Sequence, residues 1–276
     1  MKYLVPTDFS DCAQNASHVA IDMAQKSGAE VVFLHLMTLP IDWVTSNDKR
    51  RQSMYPATTK EVERIEEKLK EWKSQAEKVD VETSSHIHYN EYKDFINQFA
   101  HDEAIDLIIM GSHGAHDLKD YFVGTNTQRV VRFSKIPVLV VKERIKEVNK
   151  IALISDFSRE NVSTEPAVTD FVKLFKAGFN LAFINTPLNF NSTRVIQKRL
   201  STFQADFDFT TNTQIYNDYQ FESGVTNYCK DYGVDIVIMN THGRKGIDLA
   251  VAGSLTENII ANVNIPVLCL PITIHE

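Results

Sequence analysis

The sequence predicts an α/β fold of two successive units, each a five-stranded parallel sheet with helices on both faces. Three observations carry that expectation. An internal repeat sets Lys2-Tyr3-Leu4-Val5-Pro6-Thr7-Asp8-Phe9-Ser10 beside Lys150-Ile151-Ala152-Leu153-Ile154-Ser155-Asp156-Phe157-Ser158, 148 residues on. Short apolar runs alternate with helical stretches, which implies parallel strands joined by right-handed crossovers. The 276 residues hold two units of roughly 140 with enough apolar side chains for a core in each.

Each unit opens on an apolar strand that runs into a Thr/Ser-Asp-Phe-Ser turn. A second echo pairs Lys26 to His35 with Lys176 to Asn185; Gly28 and Gly178 suit helix C-termini, and the apolar runs after them suit buried strands. In the first unit a longer middle segment follows, through Trp43 and the charged stretch Lys60 to Lys78. Val62, Ile65, Leu69 and Trp72 recur there at helical spacing with Glu and Lys between them, the pattern of an amphipathic helix with a solvated face. Asp106 to Met110 then matches Asp235 to Met239, and Ile136 to Leu139 matches Ile265 to Leu268, both at a shift of 129. Each unit therefore reads strand, helix, strand, helix, strand, helix, strand, loop, helix, strand. The charged segment Lys142 to Lys150 marks the boundary, giving units 1–144 and 145–276 joined by a linker short enough that they pack together.

A net charge of -7 and a pI near 5.7 provide no general attraction to nucleic acid. The amino terminus meets Asp8 after a very short apolar run, unlike a signal peptide, and no apolar run reaches the length of a membrane span. We expect a cytoplasmic protein with neither nucleic acid nor membrane as partner. Cys12, Cys229 and Cys269 show no CxxC spacing and read as reduced thiols. His86 and His88, or His113 and His116, would begin a zinc site, but no further ligand stands at a supporting spacing, so no metal site is expected.

In open parallel sheets ligands lie beyond the carboxyl ends of the strands. In the first unit these ends are Pro6-Thr7-Asp8, His35-Leu36 and Met110-Gly111. After Met110 comes Gly111-Ser112-His113-Gly114, nine residues, then Gly124-Thr125-Asn126-Thr127 at the head of a helical segment over 128–133. Glycines that admit close approach, exposed amides and Thr hydroxyls at a helix N-terminus make a phosphate cradle. Such loops also occur as plain connections. No Walker lysine loop and no Gly-x-Ser-x-Gly elbow is present, and no general base is evident.

Gly111, Gly114, Gly124 and Thr125 satisfy a Gly-x2-Gly-x9-Gly-Ser/Thr pattern, and with Val5 to Ser10 and Ile136 to Val141 the chain resembles the universal stress protein family, as a tandem two-domain member of the Rossmann-like, adenine nucleotide alpha hydrolase-like group. The resemblance implies that Asp8 and Leu36 contact the adenine end of ATP or AMP, with Mg accompanying ATP. It implies that Met110, Gly111, His113, Gly114, Gly124, Thr125, Asn126 and Thr127 line the ribose and phosphates, and that Pro6 and Thr7 shape the turn. It further implies an intramolecular pseudo-dimer with Val138 to Val141 antiparallel to Val267 to Leu270, open to further homodimerisation, and a protein partner that the sequence does not name. In the second unit Asn240 replaces the first motif glycine, Ile154 replaces Pro6 and Thr186 replaces Leu36. Ser155, Asp156, Gly243, Gly253, Ser254, Leu255 and Thr256 remain as a second candidate site. The implied function is nucleotide binding in a stress response; a slow ATPase or adenylate-using enzyme, and a ligand-free interaction module, are the alternatives.

Overall fold

The computed structural model describes residues 1–91, 94–112, 123–145, 147–157, 165–240 and 249–271. The first half runs β1 (Lys2–Pro6), α1 (Asp11–Ser27), β2 (Glu30–Met37), α2 (Ile41–Val44), α3 (Asp48–Met54), α4 (Pro56–Glu77), β3 (Thr83–Tyr89), α5 (Phe95–Asp102), β4 (Leu107–Gly111), α6 (Thr125–Phe133) and β5 (Val138–Val141). The second half runs β6 (Lys150–Ile154), α7 (Glu165–Phe175), β7 (Gly178–Asn185), a 3-10 turn (Pro187–Asn189), α8 (Thr193–Gln204), β8 (Thr211–Asn217), α9 (Phe221–Tyr232), β9 (Ile236–Asn240), α10 (Leu249–Asn262) and β10 (Val267–Leu270).

Local chemistry sets these boundaries. Ser10 caps α1 by accepting the Ala13 N–H at 3.2 Å, and Gly28 ends it in the left-handed region at φ 71 with its N–H on the Ala24 carbonyl. The expected amphipathic helix is α4: Pro56 starts it, and Val62, Ile65, Leu69 and Trp72 are buried along one stripe.

The strands form one ten-stranded sheet in the order β3-β2-β1-β4-β5-β10-β9-β6-β7-β8. Within each half every pairing is parallel. Such strands are covered on both faces, and β4 is buried at every residue. Alternate side chains serve the two faces: Tyr3, Val5, Phe33 and Ile109 join α1 and α4, whereas Leu4, Val32, Leu34 and Ile108 join α5 and α6. At the junction β5 and β10 pair antiparallel, as expected, with Val140 opposite Val267, Leu139 opposite Leu268 and Val138 opposite Cys269.

Further contacts tie the halves. Arg132 of α6 donates to Glu257 Oε1 of α10 through Nη2 at 2.6 Å and Nε at 3.1 Å. Lys142 Nζ donates to the Ala261 carbonyl in the last turn of α10 at 2.7 Å. The halves differ most between their second and third strands. Residues 38–82 carry α2, α3 and α4, while residues 186–210 carry only the 3-10 turn and α8. In the first half Trp43 of α2, 3% exposed, lies edge-on to Tyr89 at 5.7 Å, donates Nε1–H to Thr59 at 3.1 Å, and lies under the Arg51 guanidinium at 4.3 Å. Among the described residues no helix is long and apolar enough to cross a membrane.

Candidate functional site

The turn after β1 is built from its own side chains. Thr7 donates its N–H to the Leu34 carbonyl at 2.8 Å, its Oγ1 accepts the Phe9 N–H at 2.9 Å, and the exposed Asp8 carboxylate accepts the Ser10 N–H at 3.0 Å. Phe9 takes φ 61, a conformation that costs a bulky residue energy and persists only where its surroundings enforce it. The enforcement is visible: the Phe9 ring lies 5.2 Å from Trp72 and 5.1 Å from His35. The second half repeats the device, with Phe157 at φ 50 and its N–H donated to Ser155 Oγ at 3.2 Å. His35 donates Nδ1–H to the Thr7 carbonyl at 2.7 Å. Burial pushes its pKa below the ordinary imidazole value, with that hydrogen bond opposing, so the ring is neutral at pH 7.

The end of β4 is stitched to the start of α6. Buried Ser112 donates its N–H to Val141 at 3.0 Å, and its carbonyl accepts the Gly124 N–H at 2.8 Å. Gly124 caps α6, and the buried Thr127 donates its hydroxyl to the Gly111 carbonyl at 2.8 Å. Thr127 is therefore a brace, while Thr125 and Asn126 stand exposed in the first helical turn beside amides that have no partner within the helix. Gly111 has a packing reason to be glycine as well: an added Cβ would lie 2.8 Å from Cys12 Cβ and 2.9 Å from the Cys12 carbonyl carbon, because the first turn of α1 rests on it. Pro6 and Leu36 are partly buried and Met110 is buried, each at the carboxyl end of its strand. The crevice is the topological switch point between β1 and β4, with β2 alongside. His113 and Gly114 lie outside the described residues. Ser10 and Ser112 hold this edge together but are not among the expected site residues; their sequence signals are the repeated turn before α1 and a place between two motif glycines.

The second half has the same switch point between β6 and β9, with different chemistry. Asn240 ends β9, and its buried Oδ1 has no hydrogen-bond partner among the described residues. α10 starts at Leu249, so Gly253 and Ser254 sit one turn inside the helix, where their amides belong to the helical ladder. Gly124, by contrast, stands at the mouth of α6. Ser155 and Asp156 are partly buried, and the Asp156 carbonyl accepts from Arg199 at 3.4 Å. Leu255 is partly buried, and Thr256 and Thr186 are buried; Gly243 lies outside the described residues.

A model of the universal stress protein family matches residues 1–142 and 215–271. The chain belongs to this family. Universal stress protein MJ0577 of Methanocaldococcus jannaschii is 32% identical over 155 residues, 52% of this chain and 95% of that protein. Universal stress protein MJ0531 of the same organism is 30% identical over 154 residues, 53% of this chain and 84% of its own length. A universal stress protein structure from Archaeoglobus fulgidus superposes with a TM-score of 0.76 at 17% identity, covering 99% of this chain and 98% of that one. That match extends the shared fold over both halves, and this chain is about twice the length of a single universal stress protein unit.

Proposed function

We propose that this universal stress protein binds ATP or AMP in the crevice between β1 and β4 and acts as a binding or regulatory module in a cytoplasmic stress response, with units 1–144 and 145–276 forming an intramolecular pair. The observation that carries this reading is the meeting of the Asp8 turn, the Leu36 and Met110 strand ends and the N-terminus of α6 at one switch point. Apolar walls suit a base, a carboxylate suits a ribose or an amino group, and a helix N-terminus suits phosphate. Mg would enter with ATP. Ser155, Asp156, Leu255 and Thr256 would serve a weaker second site, since its glycine and serine are folded into α10.

Calorimetric titration of the full chain with ATP and AMP tests the reading. The expected result is one tight site, lost in Gly124→Val while the fold is kept, and weakened in Asp8→Ala. Bound nucleotide then stabilises the fold by about 2.7 kcal/mol at 100 times its dissociation constant, seen as a thermal midpoint that rises with ATP. Two equal sites would sink the asymmetry, and wild-type affinity in folded Gly124→Val would remove the principal site. Turnover above roughly 1 per second would make the protein an enzyme.

A further inference from the structure

In the first half the carboxyl ends of β2 and β3 are roofed. Trp43 covers Tyr89, and Asn90 clamps Leu39 by accepting its N–H at 2.8 Å and donating to its carbonyl at 2.9 Å. The second half keeps the two strands, but the segment between them, residues 186–210, has no counterpart of α2 and α3. What remains is an open groove of about 810 Å³ at the ends of β7 and β8, a volume within the range of small-molecule sites.

The groove joins apolar rims to a fixed polar floor. Phe190 and Tyr219 line it and are 71% and 87% exposed, so two aromatic rings stand in water beside a concave surface. On the floor, Asp218 Oδ1 accepts the Tyr219 N–H at 2.6 Å and the Ser223 hydroxyl at 3.0 Å, and Oδ2 accepts Asn227 Nδ2 at 2.8 Å. The Asn227 hydrogen bond, with the others, holds this carboxyl below its ordinary pKa, so it is charged at neutral pH. Asn185 Nδ2 donates to Asn217 Oδ1 at 3.0 Å, and Asn185 Oδ1 accepts the Asn191 N–H at 3.0 Å. These bonds orient the carboxamides and leave the Asn217 amide hydrogens, the Asn227 amide oxygen and a second lone pair on Asp218 Oδ2 for a ligand. Among the described residues no Lys, Arg or His lines the groove. A phosphate or carboxylate would meet the Asp218 charge uncompensated. Adjacent hydroxyls, which both donate and accept, match the floor, and the C–H face of a sugar ring matches the aromatic rims.

We propose that this groove binds an uncharged ligand bearing a vicinal diol, either a neutral saccharide or a nucleoside held by its ribose. It adjoins the second switch point through Thr186 but is lined by neither Ser155 nor Asp156, and it does not depend on the nucleotide reading. Ligand-detected saturation-transfer NMR and calorimetry on the full chain test it, with maltose, adenosine and 2′,3′-dideoxyadenosine as probes and ATP as competitor. The expected result is saturable binding of maltose or adenosine that weakens about 5- to 10-fold in Tyr219→Ala and in Phe190→Ala, while ATP titrations stay unchanged. Both side chains are exposed, so both variants fold, which circular dichroism verifies. A maltose response makes the ligand a saccharide. An adenosine response absent with the dideoxy probe makes it a ribose. With the crevice between β1 and β4 saturated by ATP, failure of both maltose and adenosine to bind, or binding indifferent to both variants, would overturn the proposal.

Discussion

Gly111 joins β4 to the first turn of α1, with Cys12 and Ala13 within 3.0 Å of where a Cβ would stand. Two of the three nearest atoms are backbone, so relief requires α1 to move. Gly111→Ala should cost about 1–3 kcal/mol, read from denaturant midpoints; an unchanged midpoint would show that the helix slides freely. The sequence assigns this glycine to a ligand, because its contact with Cys12 joins residues far apart in the chain and leaves no local pattern. The strand ends at Pro6, Leu36 and Met110 were legible for the opposite reason: each closes an apolar run. His35 adds a pH dependence. Its folded pKa is depressed by burial, so below the unfolded value of about 6.5 the unfolded chain holds more protons. Stability is therefore full above that pH and falls as pH drops toward the folded pKa, with a slope below about 1.4 kcal/mol per pH unit. His35→Gln should flatten part of that slope in unfolding measured from pH 5 to 8, leaving the part due to His18, whose pKa burial and then Arg144 also lower. An identical slope in the variant would refute the assignment.

At the scale of elements, α6 and α10 occupy equivalent places, yet their ion pair is one-sided. The repeat shift of 129 places Gln128 opposite Glu257 and Ala261 opposite Arg132, so no mirror-image bridge exists. Glu257 is largely buried and Arg132 is 37% exposed at its side chain, which screens the pair in part. A double-mutant cycle over Arg132→Ala and Glu257→Ala should give a coupling near 1 kcal/mol that shrinks in high salt; additive effects would show that the two helices do not rely on it. The large elements were readable from periodicity, α4 above all, since its buried stripe repeats at every turn. The small ones were not. α2 spans Ile41–Val44, and α3 buries none of its residues. They are held by contacts outside themselves, such as Arg51 donating to the Trp43 and Val44 carbonyls. α6 begins at Thr125, ahead of the expected 128–133, because Gly124 supplies a cap that apolar spacing does not mark.

For the whole molecule, the antiparallel seam between β5 and β10 decides what the halves can do alone. β5 is a short strand of four buried apolar residues, and without β10 its outer edge would have unpaired amides and carbonyls in water. A fragment of residues 1–144 should therefore form a homodimer through β5, measurable by sedimentation, and Val140→Pro should return it to monomer. A monomeric wild-type fragment would show that the edge is protected in some other way. The fold class and the antiparallel seam were both legible because the repeat returns the same apolar run, Ile-Pro-Val-Leu, at the end of each half. The groove at β7 and β8 was not, because it arises from a missing segment, and a sequence displays what is present.

The seam also places a delay in the life of each new chain. β5 closes at Val141 and β10 opens at Val267, so at about 5–20 residues per second of synthesis the first half waits roughly 6 to 25 seconds on the ribosome with that edge open. Folding of a domain takes far less time than this. Neighbouring ribosomes on one message would present identical waiting edges to each other, and the order in which this protein is made thus favours pairing between nascent chains unless the edge is shielded until its own last strand arrives.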